Sequence, residues 1–128
     1  MIWKTTTYAG WGRALSAMGE IARPERARAL ETILAEGLAP AVGMRRSYGD
    51  ASLNNGGRVI DMTRLDRMLG FDPVTGILEV EAGALGIRLE EDLQQQGFTI
   101  GHFPSSILCS TAGGWVAARG AGQCSGRY

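Results

Sequence analysis

A chain of 128 residues has room for one domain, or for part of one, with a core of modest size. Its 13 Lys and Arg balance 13 Asp and Glu, so no electrostatic case arises for nucleic acid or an anionic membrane surface as a partner. No apolar run approaches the roughly 20 residues that span a bilayer, and Met1 to Thr7 lack the apolar core of a signal peptide. Cys109 and Cys124 stand in neither CxxC nor metal-ligand spacing, which makes a reducing cytoplasm the default location. Twelve of the thirteen basic residues are Arg, and 19 residues are Gly. The glycines crowd into the loops and the last third, where a missing Cβ lets backbone approach a partner closely.

Taken in order, Tyr8-Ala9-Gly10-Trp11-Gly12-Arg13 reads as irregular, with glycines that break any helix. Ile21-Ala22-Arg23-Pro24 reads as a strand end, because Pro pushes its predecessor out of the α region. Glu25 to Glu36 is predicted helical: Ala27, Leu30 and Leu34 recur at helical spacing, Ile33 widens the stripe, and Gly37 supplies the stop. Leu38 to Val42 then reads as a strand, completing a strand–helix–strand opening. The loop that follows, Val42-Gly43-Met44-Arg45-Arg46-Ser47-Tyr48-Gly49-Asp50, can aim backbone N–H groups and cations at one place. That suits an anion such as phosphate, with Gly43 expected to need positive φ. The same residues also make an ordinary solvated turn.

Arg58 to Met62 reads as a strand. Met68 to Phe71 and Ile77 to Ala82 read as a hairpin across Asp72-Pro73-Val74-Thr75-Gly76, where Pro presets the turn and Gly can take positive φ. Alternation sends Leu78, Val80 and Ala82 one way and Glu79 and Glu81 the other, onto a solvated face. Leu85 to Gln96 is a second predicted helix, with Leu85, Leu89 and Leu93 inward and Gly97 as its stop. No repeat or linker marks a boundary, so residues 1–128 are treated as one unit. In the tail, Ser110 or Thr111 is placed to cap a short helix through Trp115-Val116-Ala117-Ala118. Gly113 and Gly114 in its first turn would leave N–H groups bare, a second anion site.

Several alternatives fail on spacing. Gly120-Ala121-Gly122-Gln123-Cys124-Ser125-Gly126 follows a helix instead of a strand, and no acid can follow about 20 residues on, so it is no dinucleotide fingerprint. His102 is the single histidine, so no His-based metal cluster exists, and no metal is expected. Beside Phe103 and Pro104 it reads as a loop-packing residue. Trp3, Trp11 and Trp115 read as core or subdomain contacts, and Cys109 as a small buried hydrophobe.

Val42 to Asp50 resembles the Arg-Gly-x-Gly-Arg-Ser-Tyr-Gly-Asp signature of FAD-binding oxidoreductases of the vanillyl-alcohol oxidase type, which carry the PCMH-type domain. Thr7 to Arg13 and Arg58 to Ala84 resemble the branch of aldonolactone and decaprenylphosphoryl-ribose oxidases. Gly101 to Gly122, with its Gly-His-x-Pro and Ser-Thr-x-Gly-Gly-Trp motifs, is closer to alkylglycerone-phosphate-synthase-like and D-2-hydroxyacid-dehydrogenase-like members. The resemblance implies an α+β fold in which two α/β subdomains hold an extended FAD, here the first subdomain and the incomplete start of the second.

By position, the resemblance makes Val42, Gly43, Met44, Arg45, Arg46, Ser47 and Tyr48 the pyrophosphate loop. Ser105, Ser106, Ser110, Thr111, Gly113 and Gly114 would run beside flavin and pyrophosphate, and Ala118, Arg119, Gly120 and Ala121 would form a further contacting turn. Arg45 replaces the second glycine of the signature. Arg46 stands where many relatives carry a His that bonds covalently to the flavin, so FAD is expected to be held non-covalently; Cys109 is the one alternative attachment point. The implied reaction is hydride transfer to flavin from the CH–OH carbon of an alcohol, sugar or hydroxyacid. Its catalytic residues are expected beyond Tyr128, which makes this chain a truncated fragment, inactive alone and open to self-association through an unfinished face. The competing expectations are a non-catalytic remnant or interaction module without flavin, and a generic phosphate-binding α+β module.

Overall fold

The computed structural model describes residues 2–101, 103–104, 106–120 and 122–123. The chain divides into two compact units, Met1–Leu65 and Asp66–Tyr128. The first begins with an antiparallel hairpin of β1 (Trp3–Ala9) and β2 (Ser16–Ala22), in register from Trp3 opposite Ala22 to Ala9 opposite Ser16. Three consecutive threonines fit a pleated surface, where their branched Cβ is no handicap. The strand therefore runs through Tyr8 and Ala9, which the sequence reads as irregular, and the break begins at Gly10.

Helix α1 (Ala27–Ala35) follows, then β3 (Ala41–Val42) and β4 (Arg58–Asp61), which leads into a 3-10 turn at Met62–Arg64. The sheet order is β1-β2-β4-β3, with β4 parallel to both neighbours. The expected strand–helix–strand opening is present, but its two strands are separated by β4. The expected strand from Leu38 shrinks to two residues. Leu38 is 95% exposed, and Pro40 has no N–H to give a ladder, although its carbonyl accepts from Ile60 N at 2.9 Å.

Alternation along the central strands builds two apolar clusters. Tyr8, Ala17, Ile21, Val42 and Val59 form one, with Leu53 packed against it. Trp3, Ala22, Ile33 and Ile60 form the other, with Leu30, Ala39 and Met62 at its margin. Ile33 is the buried centre of α1, whereas Ala27 and Leu34 of the expected stripe are exposed. Trp3 is also held at its edge, donating from Nε1 to Glu36 Oε2 at 2.7 Å, with the Arg58 guanidinium 4.5 Å from its ring.

Adjacent parallel strands cannot be joined by a tight turn; they need a crossover of about a dozen residues or more. Residues 43–57 are that crossover between β3 and β4, and they carry no helix. They are pinned instead to the β1–β2 hairpin: Asn54 N donates to Tyr8 Oη at 2.8 Å, Met18 N donates to Asn55 Oδ1 at 3.0 Å, and Gly56 N donates to Met18 O at 2.8 Å.

The second unit contains the hairpin of β5 (Met68–Asp72) and β6 (Ile77–Val80), a separate two-stranded sheet and not an extension of the first. Its turn forms as expected: Asp72 Oδ1 accepts from Val74 N at 2.9 Å, and Gly76 takes φ 73. Glu81 does not face solvent. Arg67 binds it through Nε at 2.9 Å and Nη2 at 2.5 Å, leaving its side chain 11% exposed, because an acid beside a folded-back arginine loses its water. Helix α2 (Gly86–Gln95) buries Leu89 and Leu93, and Gly97 takes φ 81 at the expected stop. Phe71 and Phe98 meet edge to face at 4.8 Å. Next come β7 (Phe103–Pro104), helix α3 (Ala112–Ala117) and β8 (Gly122–Gln123), with β7 and β8 paired antiparallel.

The buried face of α2 also carries Glu90, 4% exposed. Its carboxylate accepts from Gln94 Nε2 at 2.8 Å, Thr99 Oγ1 at 2.6 Å and Ile100 N at 2.8 Å. Burial alone would raise this carboxyl, but the hydrogen bonds from Thr99, Ile100 N–H and Gln94 outweigh it and hold the pKa below the ordinary value.

Two stability predictions follow from these contacts. A Cβ on Gly19 would strike the Gly57 carbonyl oxygen, while one on Gly12 would meet nothing within 4 Å. Gly19→Ala should therefore lower unfolding free energy by about 1–3 kcal/mol, and Gly12→Ala by less than about 0.5 kcal/mol; urea titrations followed by circular dichroism compare them. Because the folded-state pKa of Glu90 is depressed, its stability contribution is complete above about pH 4.5 and is lost as pH falls through the lowered value. Wild type should lose more stability than Glu90→Gln in acid titrations below that pH, and equal losses would remove Glu90 from the account.

Candidate functional site

The crossover loop leaves β3 at Val42, which is buried in the first apolar cluster. From Gly43 to Asp50 none of its backbone N–H groups donates to a protein acceptor among the described residues. Such a run of free donors suits an anion. Gly43 does not take positive φ; the left-handed positions of the loop are Arg45, at φ 55, and Gly49, at φ 60. Ser47 and Tyr48 are exposed, Tyr48 by 83%.

The two arginines point to different places. Arg45 turns inward: its Nη2 lies 2.6 Å from Asp61 Oδ2, its guanidinium lies 5.3 Å from the Tyr8 ring, and its Nε is buried without an acceptor. Arg46 is exposed and stacks toward Trp11, 5.9 Å from that ring. Trp11 is 53% exposed, so it is a surface platform for Arg46 and not a core residue.

The turn between β1 and β2 supplies the opposite wall. Gly10 approaches the loop so closely that a Cβ there would lie 2.9 Å from Gly49 O. Ala9, Gly10 and Arg13, with Met44, Arg45 and Arg46, line a recess of about 410 Å³. Arg13 is exposed at φ 54, and among the described residues neither it nor Arg46 has a carboxylate within 4.0 Å. Ser52 Oγ, buried beneath Gly10, has no partner. Free donors, two unpaired guanidinium groups and close backbone approach together fit a phosphate or diphosphate. The sequence reading takes Ala9, Gly10 and Arg13 as part of an irregular stretch and gives them no place in the site, although Gly10-Trp11-Gly12-Arg13 repeats the chemistry of the loop: glycines next to a cation.

The second expected anion site takes a different form. Thr111, 2% exposed, caps α3 by accepting from Gly114 N at 3.1 Å, as the sequence predicts. The preceding donors are also occupied, Ala112 N by Ala84 O at 2.7 Å and Gly113 N by Ala82 O at 2.8 Å. The first turn of α3 therefore has no bare N–H groups; main chain folded against it has taken them. Ser106 and Ser110 bond to each other at 2.7 Å between hydroxyls, and Ile107 O and Ser110 O accept from the first N–H groups of α2. Past α3, Ala118 is the C-cap, Arg119 takes φ 50, and Arg119 N and Gly120 N donate to Val116 O and Trp115 O. This is the Schellman closure, with Arg in the place glycine favours. Cys109 is a free thiol, half-buried where a buried one was expected. Ser105, Ala121, His102, Cys124 and Tyr128 lie outside the described residues.

Among the described residues no group of three His, Cys, Asp or Glu could hold a metal ion, and no helix is long and apolar enough to cross a membrane. The family profile for FAD binding domains matches residues 25–128. An alkyldihydroxyacetonephosphate synthase of Trypanosoma brucei brucei is 48% identical over 69 residues, 54% of this chain and 11% of that protein. The decaprenylphosphoryl-beta-D-ribose oxidase of Mycolicibacterium smegmatis is 36% identical over 110 residues, 81% of this chain and 24% of that protein. A crystal structure of an alkyldihydroxyacetonephosphate synthase superimposes with a TM-score of 0.75 at 26% identity, covering 85% of this chain and 22% of that one. The chain thus spans less than a quarter of the length of these relatives. The donor set of the recess fits the diphosphate of a dinucleotide, and with the family match over residues 25–128 the chain belongs to the FAD binding domain family of flavin-dependent oxidoreductases, with the PCMH-type α+β fold and FAD as its cofactor.

Proposed function

We propose that the crossover loop and the β1–β2 turn hold the diphosphate of FAD, and that the chain is the FAD-binding part of an enzyme that oxidises a CH–OH group. The observation that carries the first half is the recess: the free N–H groups from Gly43 to Tyr48 face no protein acceptor, and Arg13 and Arg46 flank it without counter-charges. A diphosphate brings about two negative charges to such a site, and charge-assisted bonds to arginine are the strong ones. In the second unit Ser105, Ser106, Ser110, Thr111, Gly113, Gly114, Ala118, Arg119, Gly120 and Ala121 are assigned to further FAD contact. Ser106 and Ser110 would contribute hydroxyls, whereas the N–H groups of Gly113 and Gly114 are already in use.

Bound FAD supplies a two-electron acceptor, so that a hydride can leave the CH–OH carbon while the hydroxyl proton goes to a base and the carbon becomes a carbonyl. This chain's own part is to bind and orient the cofactor. The likeness to the decaprenylphosphoryl-ribose oxidase over 81% of the chain supports the CH–OH carbon of a sugar as the point of attack. A second reading has its own support: the 48% identity to a protein named for synthesis of an alkyl dihydroxyacetone phosphate favours an ester of dihydroxyacetone phosphate. Anaerobic bleaching of flavin absorbance by sugar alcohols and hydroxyacids, against none with dihydroxyacetone phosphate esters, separates the two. The free Cys109 thiol fits a cytoplasmic setting. Exposed Leu15, Met18 and Val116 are apolar surface through which copies could associate.

FAD titrated into the purified chain should quench in fluorescence, and Arg13→Ala and Arg46→Ala should each raise Kd about tenfold, the loss of one charged hydrogen bond. Both effects should shrink in high salt. Unchanged affinity in both variants would place the diphosphate elsewhere. With Arg46 where covalent relatives have His, the flavin should leave completely on acid or heat denaturation; flavin retained on the denatured polypeptide would point to Cys109.

A further inference from the structure

We propose that Asp61 is a positioning residue of the FAD site, one that holds the crossover loop in its binding shape through the guanidinium of Arg45. This rests on reading that loop as the diphosphate cradle. Asp61 ends β4 and is 1% exposed. Its two oxygens serve different elements. Oδ1 accepts from Thr63 N at 3.0 Å and Thr63 Oγ1 at 2.6 Å, fixing the 3-10 turn. Oδ2 takes Arg45 Nη2 at 2.6 Å and Arg23 Nε at 3.1 Å.

Arg45 holds φ 55, a conformation that glycine adopts freely and an L side chain resists. A residue stays there only when its surroundings hold it. Its side chain reaches sixteen residues along the chain, from Arg45 to Asp61, and ends on a carboxylate that is almost fully buried. The Tyr8 ring lies beside the same guanidinium. The consequence is a division of labour between neighbours in sequence: Arg45 is neutralised inside, and Arg46 remains the outward cation of the loop. Without the charge on Asp61, Arg45 and Arg23 lose their shared counter-ion. The Arg45 side chain then has no reason to stay inward, and the backbone leaves the left-handed region that it was held in.

A purely structural Asp61, serving Thr63 and Arg23 alone, makes a different prediction, and a double-mutant cycle separates the two. FAD affinity of the full chain would be measured by fluorescence quenching for wild type, Asp61→Asn, Arg45→Gly and the double variant. Amide exchange at residues 43–47 would be followed without FAD. The positioning role predicts that Asp61→Asn raises Kd about tenfold and speeds exchange in the loop. Arg45→Gly removes both the strain and the need for an anchor, so Asp61→Asn should add nothing further to the Kd of that variant. The same tenfold loss in both backgrounds, or unchanged Kd and loop exchange in Asp61→Asn, overturns the proposal. Should Asp61→Asn not fold, Arg45→Met decides: it keeps the strain but lacks the anchor, so it should bind FAD about tenfold more weakly than Arg45→Gly, and equal affinities of the two overturn the proposal. Wild type that binds no FAD refutes the cofactor assignment of the loop, and the positioning role is then decided by the loop exchange rates alone.

Discussion

The parallel pairing of β4 between β2 and β3 is the constraint from which the site follows. Two parallel neighbours cannot be linked by a hairpin, so residues 43–57 must run the length of the sheet outside it. An irregular crossover brings many backbone donors that the ladder cannot satisfy. Here the second half of the crossover is held by the β1–β2 hairpin: Asn54 N and Gly56 N donate to it, and Asn55 Oδ1 and Gly57 O accept from it. The first half is not. Pinning at one end and freedom at the other turn a topological necessity into a rigidly placed set of open N–H groups.

The same physics explains why the tail differs. A helix N-terminus with glycines looks like an anion site whenever its donors are free. In the second unit the chain from Ala82 to Leu85 lies against α3, and the chain from Ile107 to Ser110 lies against α2. Each uses its carbonyls on the first N–H groups of the other's helix. The glycines are there for that contact: a Cβ on Gly113 would come within 3.0 Å of the Ala82 side chain, and one on Gly86 within 3.0 Å of Ile107. Glycine at a helix start thus has two uses, approach to a ligand and approach to another strand of backbone, and composition does not distinguish them.

Much of this was legible in the sequence because it depends on local chemistry. The glycine stops after both long helices, the Asp72–Gly76 turn and the Thr111 cap all declare themselves within a few residues. What was illegible depends on partners far away. β1 buries only Trp3 and Tyr8 fully, so its threonines show no apolar alternation to mark a strand. Glu81 and Asp61 sit in strand-like runs where alternation says little about an acid; each is buried by an arginine, Arg67 fourteen residues away and Arg45 sixteen. Arg13 carried the right chemistry, glycine beside a cation, but its strand was unread and nothing tied its turn to a loop thirty residues on.

Among the described residues, the three non-glycine residues with positive φ are all arginines: Arg13, Arg45 and Arg119. Each forgoes roughly 1–2 kcal/mol relative to a residue without Cβ, and glycine is the commonest residue of the chain. Something must offset that cost at each position, and it is not the same thing. At 119 the Schellman closure of α3 fixes the backbone, through hydrogen bonds that any residue with an N–H could make. At 13 the turn sets a cation in the recess, a charge that glycine would not bring. At 45 the guanidinium is bound to a buried carboxylate, so strain and anchor belong to one side chain. Glycine could take all three conformations, yet at 13 and 45 it could supply neither the charge nor the anchor. Strain of this kind gathers where structure serves binding, and in the first unit both strained residues line the same recess.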